Sequence, residues 1–313
     1  MASAAREPSA GGHDIEVSVV VPCRGHADSL AELLDDLAHQ RTVCRFEVLV
    51  ADAGPDDAVR AVAESRGAMT VRGEAGLLPG QARDLATARA RGAVVAFIDA
   101  DCRPDATWVE AAASALAEEA RVVGGPVGDL WPWHPIAVAD NLLQFANLPR
   151  TRPAGPIHML PSCNLALRVE DYLALGGFRH SEGVATGEDV AFCERVAARW
   201  PAAIRFEPSM AVRHAGRTTI AGLMRHHYRF GYSRGRLRLL LSPRQGRLAG
   251  LPVLFPALVL RRLAFVFGRV LRYRPARLPI TLALAPLLIL GSAAWAVGLR
   301  HGLAAASPVT ERR

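Results

Sequence analysis

Apolar runs and amphipathic segments alternate along the first hundred residues of the chain. The apolar runs are rich in Val, Ile and Phe and have the length of buried strands, and they cover residues 17–22, 46–51, 69–71 and 94–98. The segments between them carry apolar residues at helical spacing, first at Leu30, Leu33, Leu34 and Leu37 and then within residues 58–66 and 81–91. Because strand and helix alternate, the pattern predicts a doubly wound α/β fold with a largely parallel sheet.

Beyond residue 105 the pattern is less regular. Helices are predicted over residues 108–120, 170–175 and 188–199, and strands over residues 122–123, 162–168 and 204–206. The segment 126–135 is rich in proline and tryptophan and is too broken for regular structure. The last strand of the α/β unit is therefore expected near residue 206.

Two carboxylates mark the end of the strand predicted at 94–98. Asp99 and Asp101 are separated by one residue, so on an extended chain they point to the same side at the carboxyl edge of the sheet, where open α/β folds bind ligands. Two such charges repel unless a cation or a proton neutralises them, and carboxylate oxygens suit Mg²⁺ or Mn²⁺. The pair therefore indicates a divalent-cation site. The alternative is an acidic turn that caps the following helix.

Carboxylates accompany two other predicted elements. Asp52 directly follows the strand at 46–51 and is placed to accept hydrogen bonds from a base or a ribose, unless it belongs to an ordinary turn. Glu188 and Asp189 open the helix at 188–199. A carboxylate there acts as a general base if it reaches an attacking hydroxyl, whereas acidic residues at a helix N-terminus also simply complement the helix dipole. The residues alone leave both alternatives open.

The charges divide the chain into two unlike parts. All 37 basic residues are arginines; residues 1–212 hold 19 of them with 29 of the 30 acidic residues, and residues 213–313 hold 18 arginines and one glutamate. The polar N-terminus, residues 1–14, is expected to be disordered and shows no signal-peptide core. The five cysteines are scattered without metal-binding spacing, as is typical of reduced thiols. The α/β part is therefore expected in the cytoplasm.

Two hydrophobic segments lie in the arginine-rich part. Residues 279–299 carry no charge and are long enough to cross a bilayer, whereas residues 251–271 are interrupted by Arg261 and Arg262, which are costly at the centre of a span. Residues 251–271 are therefore expected to lie in the membrane interface, with anionic lipid headgroups neutralising the arginines. The alternative is a buried helical pair in a soluble protein. On this basis residues 241–313 are assigned to a membrane region and residues 15–240 to the α/β domain.

Seven motifs occur in order between residue 17 and about residue 235. They are Val19-Val-Val-Pro-Cys-Arg24, Asp52-Ala-Gly-Pro-Asp-Asp57, Gln81-Ala-Arg-Asp-Leu85, Phe97-Ile-Asp-Ala-Asp101, Ser162-Cys-Asn-Leu-Ala-Leu-Arg168, Gly176-Gly-Phe178 and Gly187-Glu-Asp189. Together they resemble those of family 2 glycosyltransferases with a GT-A fold. The resemblance implies a mixed α/β sheet, a nucleotide-diphosphate sugar donor, and inverting transfer to a hydroxyl acceptor such as a lipid-linked or cell-envelope glycan.

The resemblance also implies a role for particular residues. It assigns the contacts with the nucleotide-sugar to Pro22, Arg24, Asp52, Arg83 and Asp99. It assigns Mn²⁺ or Mg²⁺ to Asp101 and His214, although a lone histidine is also common in structural roles. It makes Asp189 the expected general base, with Glu188 as its neighbour.

Two positions depart from the residues that are usual in the family. Asp84 stands where asparagine is common and adds negative charge near the phosphates. Arg179 stands where an acidic residue is common and removes negative charge near the acceptor. The donor and acceptor of close relatives are therefore not transferable to this chain.

The leading hypothesis is a membrane-attached, metal-dependent inverting glycosyltransferase whose catalytic domain faces the cytoplasm. The alternative is a catalytically silent membrane scaffold with a GT-A fold, in which replacement of Asp101 or Asp189 has no effect. Nucleic acid is not expected as a partner, because a nucleic-acid arm needs no long uncharged stretch among its arginines. A nucleotidyltransferase is disfavoured because the chain contains no lysine and hence no lysine-bearing phosphate loop.

Overall fold

The strands form one large and one small sheet. The computed structural model describes residues 15–117, 120–178, 186–241 and 252–305, so that the predicted disordered segment 1–14 and Arg179 lie outside the described residues. The strands are β1 Val17–Cys23, β2 Phe46–Asp52, β3 Met69–Arg72, β4 Val94–Ile98, β5 Cys102–Pro104, β6 Val122–Gly124, β7 Val127–Asp129, β8 Gly155–Pro156, β9 Asn164–Arg168, β10 Ile204–Phe206 and β11 Val212–His214.

Helices connect the strands of the first half and make up the described part of the chain after residue 219. They are α1 Ala27–Ala38, α2 Ala58–Ser65, α3 Pro79–Thr87, α4 Trp108–Ala117, α5 Pro135–Phe145, α6 Val169–Ala174, α7 Glu188–Arg199, α8 Ile220–Leu241, α9 Phe255–Tyr273, α10 Leu278–Ala283 and α11 Ala285–Ala304. Short 3₁₀ turns precede α9 and α10.

The large sheet has the strand order β3-β2-β1-β4-β9-β6-β10-β8. The four strands β1 to β4 are parallel, as the alternating pattern predicts, whereas β9 runs antiparallel to its neighbours β4 and β6, and β8 runs antiparallel to β10. The doubly wound mixed sheet implied by the resemblance is thus confirmed. In the small sheet, β11 pairs antiparallel with β5 and parallel with β7.

The predicted apolar faces form the core of the α/β unit. All four leucines of the α1 pattern are buried, and α3 packs against β1 and β2. Burying each leucine side chain stabilises the fold by about 1.5–3 kcal/mol relative to exposure. The periodicity of the sequence therefore identified the buried side of these elements correctly.

The carboxyl ends of β1, β2 and β4 meet at one edge of the large sheet. Cys23 is in register with Asp52, and Val20 is in register with Phe97. Pro22 and Asp99 are each two residues further along, so they lie at the same edge as Asp52. This edge collects the predicted site residues of the first hundred positions.

Two predictions about local structure differ from the structure. The helix predicted at 81–91 is α3, which begins at Pro79 because proline fits the first helical turn and the Gln81 side chain accepts the Leu78 N–H. The segment 126–135, predicted to be irregular, contains β7, and α5 follows it. A strand of three residues that is held only by tertiary pairing with β11 leaves no periodicity for sequence reasoning to find.

A seam of glycines joins α8 to α11. Each glycine of two Gly-x-x-x-Gly motifs, Gly231 and Gly235 on α8 and Gly298 and Gly302 on α11, faces a backbone carbonyl of the other helix. A Cβ added at any of the four would lie 2.0–2.4 Å from that carbonyl oxygen. Such contact between backbones is open only to glycine. The motifs meet in chain order, so the two helices run in the same direction.

The apolar segment predicted at 279–299 is divided between α10 and α11. Among the described residues, α11 is the one helix whose length and composition would allow it to cross a membrane, and 44% of its most apolar stretch is buried within the protein. The segment around Arg261 and Arg262 forms α9 and does not meet that criterion.

Gly298→Ala is expected to destabilise the protein by at least about 1–3 kcal/mol, because its methyl group would overlap the Tyr228 carbonyl oxygen. The matched control is Gly268→Ala on α9, where an added Cβ meets no atom within 4 Å. The control is expected to be neutral or stabilising by up to about 1 kcal/mol. Thermal unfolding compares the two variants, and equal melting temperatures would contradict the close approach of α8 and α11.

Candidate active site

A buried arginine ties three elements together at the sheet edge. Arg83 of α3 is 1% exposed; its Nη1 donates to Glu188 Oε1 at 3.0 Å and its Nη2 donates to Asp99 Oδ1. Burial lowers the pKa of Arg83, but the two carboxylates outweigh burial and raise that pKa above its usual value. The guanidinium therefore remains charged and connects α3, the end of β4 and the start of α7.

Asp189 lies beside Glu188 in the first turn of α7. Its Oδ1 accepts the N–H of Val190 at 2.8 Å, and its Oδ2 accepts the N–H of Ser162, just before β9, at 3.4 Å. Burial raises the pKa of Asp189, and Arg234 of α8 opposes that increase. Burial and the charge of Asp189 likewise raise the pKa of Glu188. A carboxylate with an elevated pKa is suited to take up a proton in a reaction.

Asp101 faces a different group of side chains. The strand β4 ends at Ile98, and Asp101 lies in the turn before β5. Its Oδ1 is 3.7 Å from His214 Nε2, and its Oδ2 is 3.7 Å from Arg217 Nη1. Asp99 and Asp101 thus have different partners, because the extended chain stops before them and Asp99 turns to Arg83.

Asp101 and His214 have the donor atoms and the spacing for one divalent cation. Bonds from such ions to carboxylate oxygen or imidazole nitrogen are about 2.0–2.2 Å long, so one ion reaches both atoms across 3.7 Å. No three His, Cys, Asp or Glu side chains form a metal cluster in the described parts of the chain. Two protein ligands leave positions for substrate phosphate oxygens, as is usual for Mg²⁺. The residues thus fit Mn²⁺ or Mg²⁺.

Asn141 of α5 orients His214 and was missed by sequence reasoning. Its amide Nδ2 donates to two acceptors, the His214 carbonyl at 3.0 Å and Asp129 Oδ1 at 3.3 Å. The remaining amide oxygen lies 2.9 Å from His214 Nδ1 and therefore accepts a hydrogen bond from it. This bond requires a proton on Nδ1, so that in the neutral imidazole the lone pair of Nε2 lies on the side of Asp101. Such partners of a metal-binding histidine fix its tautomer and orientation.

Asp140, the residue before Asn141, holds the backbone of Arg217, which is the second neighbour of Asp101. Its Oδ2 accepts the backbone N–H of Arg217 at 3.0 Å, and its Oδ1 is 3.0 Å from His227 Nε2 on α8. Burial raises the pKa of Asp140, but His227, His226 and the Arg217 N–H outweigh burial and lower that pKa to about 2. The only sequence signal for this arrangement is a polar Asp-Asn pair inside the apolar stretch 136–146.

The residues expected at the nucleotide lie along the same sheet edge. Asp52 is buried; its Oδ1 accepts the Gly54 N–H at 2.8 Å, and its Oδ2 accepts from Arg72 Nη1 at 2.7 Å. Pro22 is half-buried and Arg24 is exposed. Arg72 was not singled out from the sequence, because a strand-end arginine is unremarkable until its partner is known.

Asp84, next to Arg83 on α3, has its own partners. Its carboxylate accepts the N–H of Phe178 at 2.9 Å and the hydroxyl of Tyr172. The aspartate that stands here in place of asparagine thus stabilises the turn at Gly176-Gly177, because its carboxylate accepts hydrogen bonds from residues on both sides of that turn.

The comparisons with known proteins identify the family of the chain. The model of the family "Glycosyl transferase family 2" matches residues 18–175, which is half of the chain. The chain belongs to glycosyl transferase family 2. That membership covers β1 through α6, including the Asp99 turn and Arg83.

Two relatives are each 26% identical to the chain. One is the glycosyltransferase AglE of Haloferax volcanii, over 186 residues covering 57% of this chain and 60% of that protein. The other is the pre-mycofactocin glycosyltransferase of Mycobacterium tuberculosis, over 221 residues covering 69% of this chain and 46% of that protein. The chain therefore spans only about half to three-fifths of the length of these relatives.

Solved structures share the fold at lower identity. The mannosyltransferase PcManGT from Pyrobaculum calidifontis, in complex with GDP-Man and Mn²⁺, has a TM-score of 0.56 at 18% identity and covers 93% of this chain and 87% of its own. S. aureus TarS 1-349 has a TM-score of 0.53 at 17% identity, with 93% and 90% covered, and is also known in complex with UDP. At this identity the likeness concerns the fold alone.

Asn141→Leu is expected to weaken Mn²⁺ binding by about 10- to 100-fold, because His214 loses the bond that orients its ring. The loss of free-Mn²⁺ signal in electron paramagnetic resonance measures the affinity, and ¹⁵N chemical shifts report the tautomer of His214. Asn147→Leu, just beyond α5, is the control, and thermal unfolding shows that both variants fold. Unchanged affinity and an unchanged tautomer in Asn141→Leu would contradict the assigned role.

Proposed function

We propose that the protein is an inverting glycosyltransferase that moves a sugar from a nucleotide-diphosphate donor to a hydroxyl acceptor. The observation that carries this proposal is the Arg83 network, which joins Asp99, in the turn that also bears Asp101, to Glu188, the neighbour of Asp189. A donor-binding edge and a candidate base are thereby held in one rigid arrangement. The names of the relatives, and the UDP and GDP-Man complexes of the structural neighbours, support the same class of donor.

The donor would lie along the carboxyl ends of β1, β2 and β4. In this proposal Pro22 and Arg24 border the nucleotide, Asp52 and its surrounding turn hold the base, and Asp99 contacts the ribose. Arg83 adds positive charge near the diphosphate while it holds Asp99 and Glu188 in place.

Asp101 and His214 are proposed to hold Mn²⁺ or Mg²⁺ beside the diphosphate. When bound, the cation supplies positive charge that offsets the charge developing on the departing nucleoside diphosphate. Arg217, on the other oxygen of Asp101, adds a second positive charge at the same place. The fit of the two donor atoms supports this role.

Asp189 is proposed to be the general base. It takes the proton from the acceptor hydroxyl while the hydroxyl oxygen forms a bond to the anomeric carbon on the face opposite the leaving group. The bond between the anomeric carbon and the phosphate oxygen breaks, and its electron pair leaves with the nucleoside diphosphate. The configuration is inverted, and the proton passes from Asp189 to solvent. Glu188, bonded to Arg83, positions α7 for this step.

The proposed location is the cytoplasmic membrane, with the catalytic domain facing the cytoplasm and anionic lipids as partners. No acidic residue occurs between Glu207 and Glu311, so the arginines of that part have no carboxylates of their own stretch to pair with. A lipid-linked or cell-envelope acceptor would be presented at the same surface. The apolar character of α11 supports this location.

Two substitutions separate the two proposed roles. Asp101→Asn is expected to abolish metal-dependent donor binding, because it removes a proposed ligand of the cation. Asp189→Asn is expected to retain donor binding and to lose about 10²- to 10⁴-fold in turnover, the usual contribution of general base catalysis. Calorimetry with UDP-, GDP- and dTDP-sugars, with and without Mn²⁺, measures binding, and release of the nucleoside diphosphate measures turnover.

The surface substitution Asp35→Asn is the control for both variants, since Asp35 pairs only with Arg66 among the ion pairs of the described chain. No binding of any donor to the unaltered protein would favour the silent-scaffold alternative. Full turnover in Asp189→Asn would assign the base to another group.

Arg234→Gln is expected to move the acid limb of the pH profile of kcat/KM to higher pH. The charged form of Asp189 is the base, and the positive charge of Arg234 favours that form, so its removal raises the pKa of Asp189 further. Activity is then lost at a higher pH on acidification, while the rates at alkaline pH converge. Arg229→Gln, an exposed arginine of the same helix, is the matched control. A shift to lower pH, or none, would rule out Asp189 as the titrating base.

A further inference from the structure

We propose that α9, α10 and α11 dock the protein onto one face of an anionic bilayer, with α11 lying along the membrane surface instead of crossing it. The inference rests on the proposed membrane location and adds how the chain meets the lipid. It concerns a surface built from three neighbouring helices, because α10 contacts α9 and α11, and α9 contacts α11.

The glycine seam prevents α11 from entering the hydrocarbon layer alone. Because α8 follows α11 in the same direction at backbone contact, a spanning α11 would carry α8 into the bilayer. That helix has Arg225 and Arg229 exposed on its surface, and charged side chains on an isolated helix are strongly disfavoured at the membrane centre.

The other side of α8 belongs to the active site. The charge of Arg234 lowers the pKa of Asp189. His227 lies 3.0 Å from Asp140, which accepts the backbone N–H of Arg217. A helix that supports a water-accessible catalytic edge remains outside the hydrocarbon layer. Its partner α11 therefore remains at the membrane surface as well.

The outward face of α9 is an apolar stripe. Ala257, Leu260, Ala264, Gly268 and Leu271 follow each other at intervals of three or four residues, and all are exposed. Leu260 is 64% exposed and Leu271 is 53% exposed, whereas the opposite side of the helix is buried in the protein. A helix with this pattern lies in the plane of an interface with its apolar side in the lipid.

Exposed apolar side chains are concentrated in this part of the molecule. Of the sixteen large apolar side chains that are exposed in the described residues, ten lie between residues 253 and 297. They are Val253, Leu254, Leu260, Phe265, Leu271, Ile280, Leu282, Ile289, Leu290 and Val297. A concentration of this kind marks a surface that is covered by a partner or a membrane.

The charges beside the stripe identify the partner as anionic lipid. Arg261 and Arg272 are exposed along one flank of the α9 stripe, where long side chains reach headgroups while their stems lie on apolar surface. The neighbouring Arg262 instead turns inward and donates to the Leu143 carbonyl at 3.1 Å. Of the two adjacent arginines, which would be costly within a membrane span, Arg262 thus has a partner in the protein and Arg261 is free to contact a lipid headgroup. A second copy of the same arginine-rich face would repel it.

The first test measures binding of the full chain to vesicles of phosphatidylcholine alone and with 30 mol% phosphatidylglycerol. Binding is expected to require the anionic lipid and to weaken as salt is added. Leu271→Glu is expected to reduce the partition coefficient at least about tenfold, because it replaces a lipid-facing leucine with a charge. Leu173→Glu changes a leucine of similar exposure, 55%, on α6, and this variant is expected to bind as the unaltered protein does.

The second test places one additional cysteine near either end of α11, by Ala283→Cys at the last residue of α10 or by Ala304→Cys at the last residue of α11. Both positions are exposed. A membrane-impermeant maleimide is added to membrane vesicles whose cytoplasmic face is outward. Both cysteines are expected to react from the outside, to the extent seen after detergent permeabilisation. The five native cysteines, four of them buried, set the background in the unaltered chain.

Reaction at only one end of α11 would show that the helix spans the membrane; it would overturn this inference and leave the proposed location intact. A second result would be that the protein does not bind vesicles, and that light scattering shows a dimer which Leu271→Glu dissociates. This result would assign the exposed apolar face of α9 to a second copy of the chain, and it would overturn both this inference and the proposed membrane location. Either result is separate from donor binding and turnover, which test the proposed reaction.

Discussion

A guanidinium buried between two carboxylates holds the catalytic edge together. Arg83 joins Asp99, at the end of a central strand, to Glu188, which lies 105 residues after Arg83 in the chain. Removing one partner from a buried ion pair typically costs about 3–5 kcal/mol, because the other charge is left uncompensated. The network therefore makes the position of Asp189, next to Glu188, depend on the strands at the proposed donor site. The proposed base and the proposed donor site are thus positioned by the same interaction.

Two polar residues of α5, Asp140 and Asn141, hold in place the residues around Asp101, as Arg83 holds Asp99 and Glu188. Asn141 orients His214, and Asp140 holds the backbone of Arg217, so both neighbours of Asp101 depend on adjacent residues of one helix. These groups are buried in an otherwise apolar helix, where an unsatisfied polar atom is costly. Their position is therefore specified tightly, which is what a pre-organised cation site needs.

The helix α8 belongs to the site and to the C-terminal helices at once. Its Arg234 acts on Asp189 and its His227 meets Asp140, while its glycines contact α11 along a shared seam. Any surface on which α9 and α11 rest is consequently held at a set orientation to the catalytic edge. For an acceptor carried in a membrane, this would fix the distance between the bilayer and the reacting hydroxyl.

The sequence by itself determined the elements whose pattern is local. The apolar runs of β1, β2 and β4 and the leucines of α1 predicted the sheet and its first helix, because burial of one face imposes a period that the chain must carry. The seven motifs predicted the family through their resemblance to its members, and the family match confirms it. Only the tertiary structure decided the partners. That Asp99 turns to Arg83 while Asp101 turns to His214, and that Asn141 sets the histidine tautomer, depends on contacts between residues dozens of positions apart. A local sequence pattern carries no information about such contacts. Each of these side chains is equally compatible with a helix cap, a turn or a surface charge until its neighbour in the fold is known.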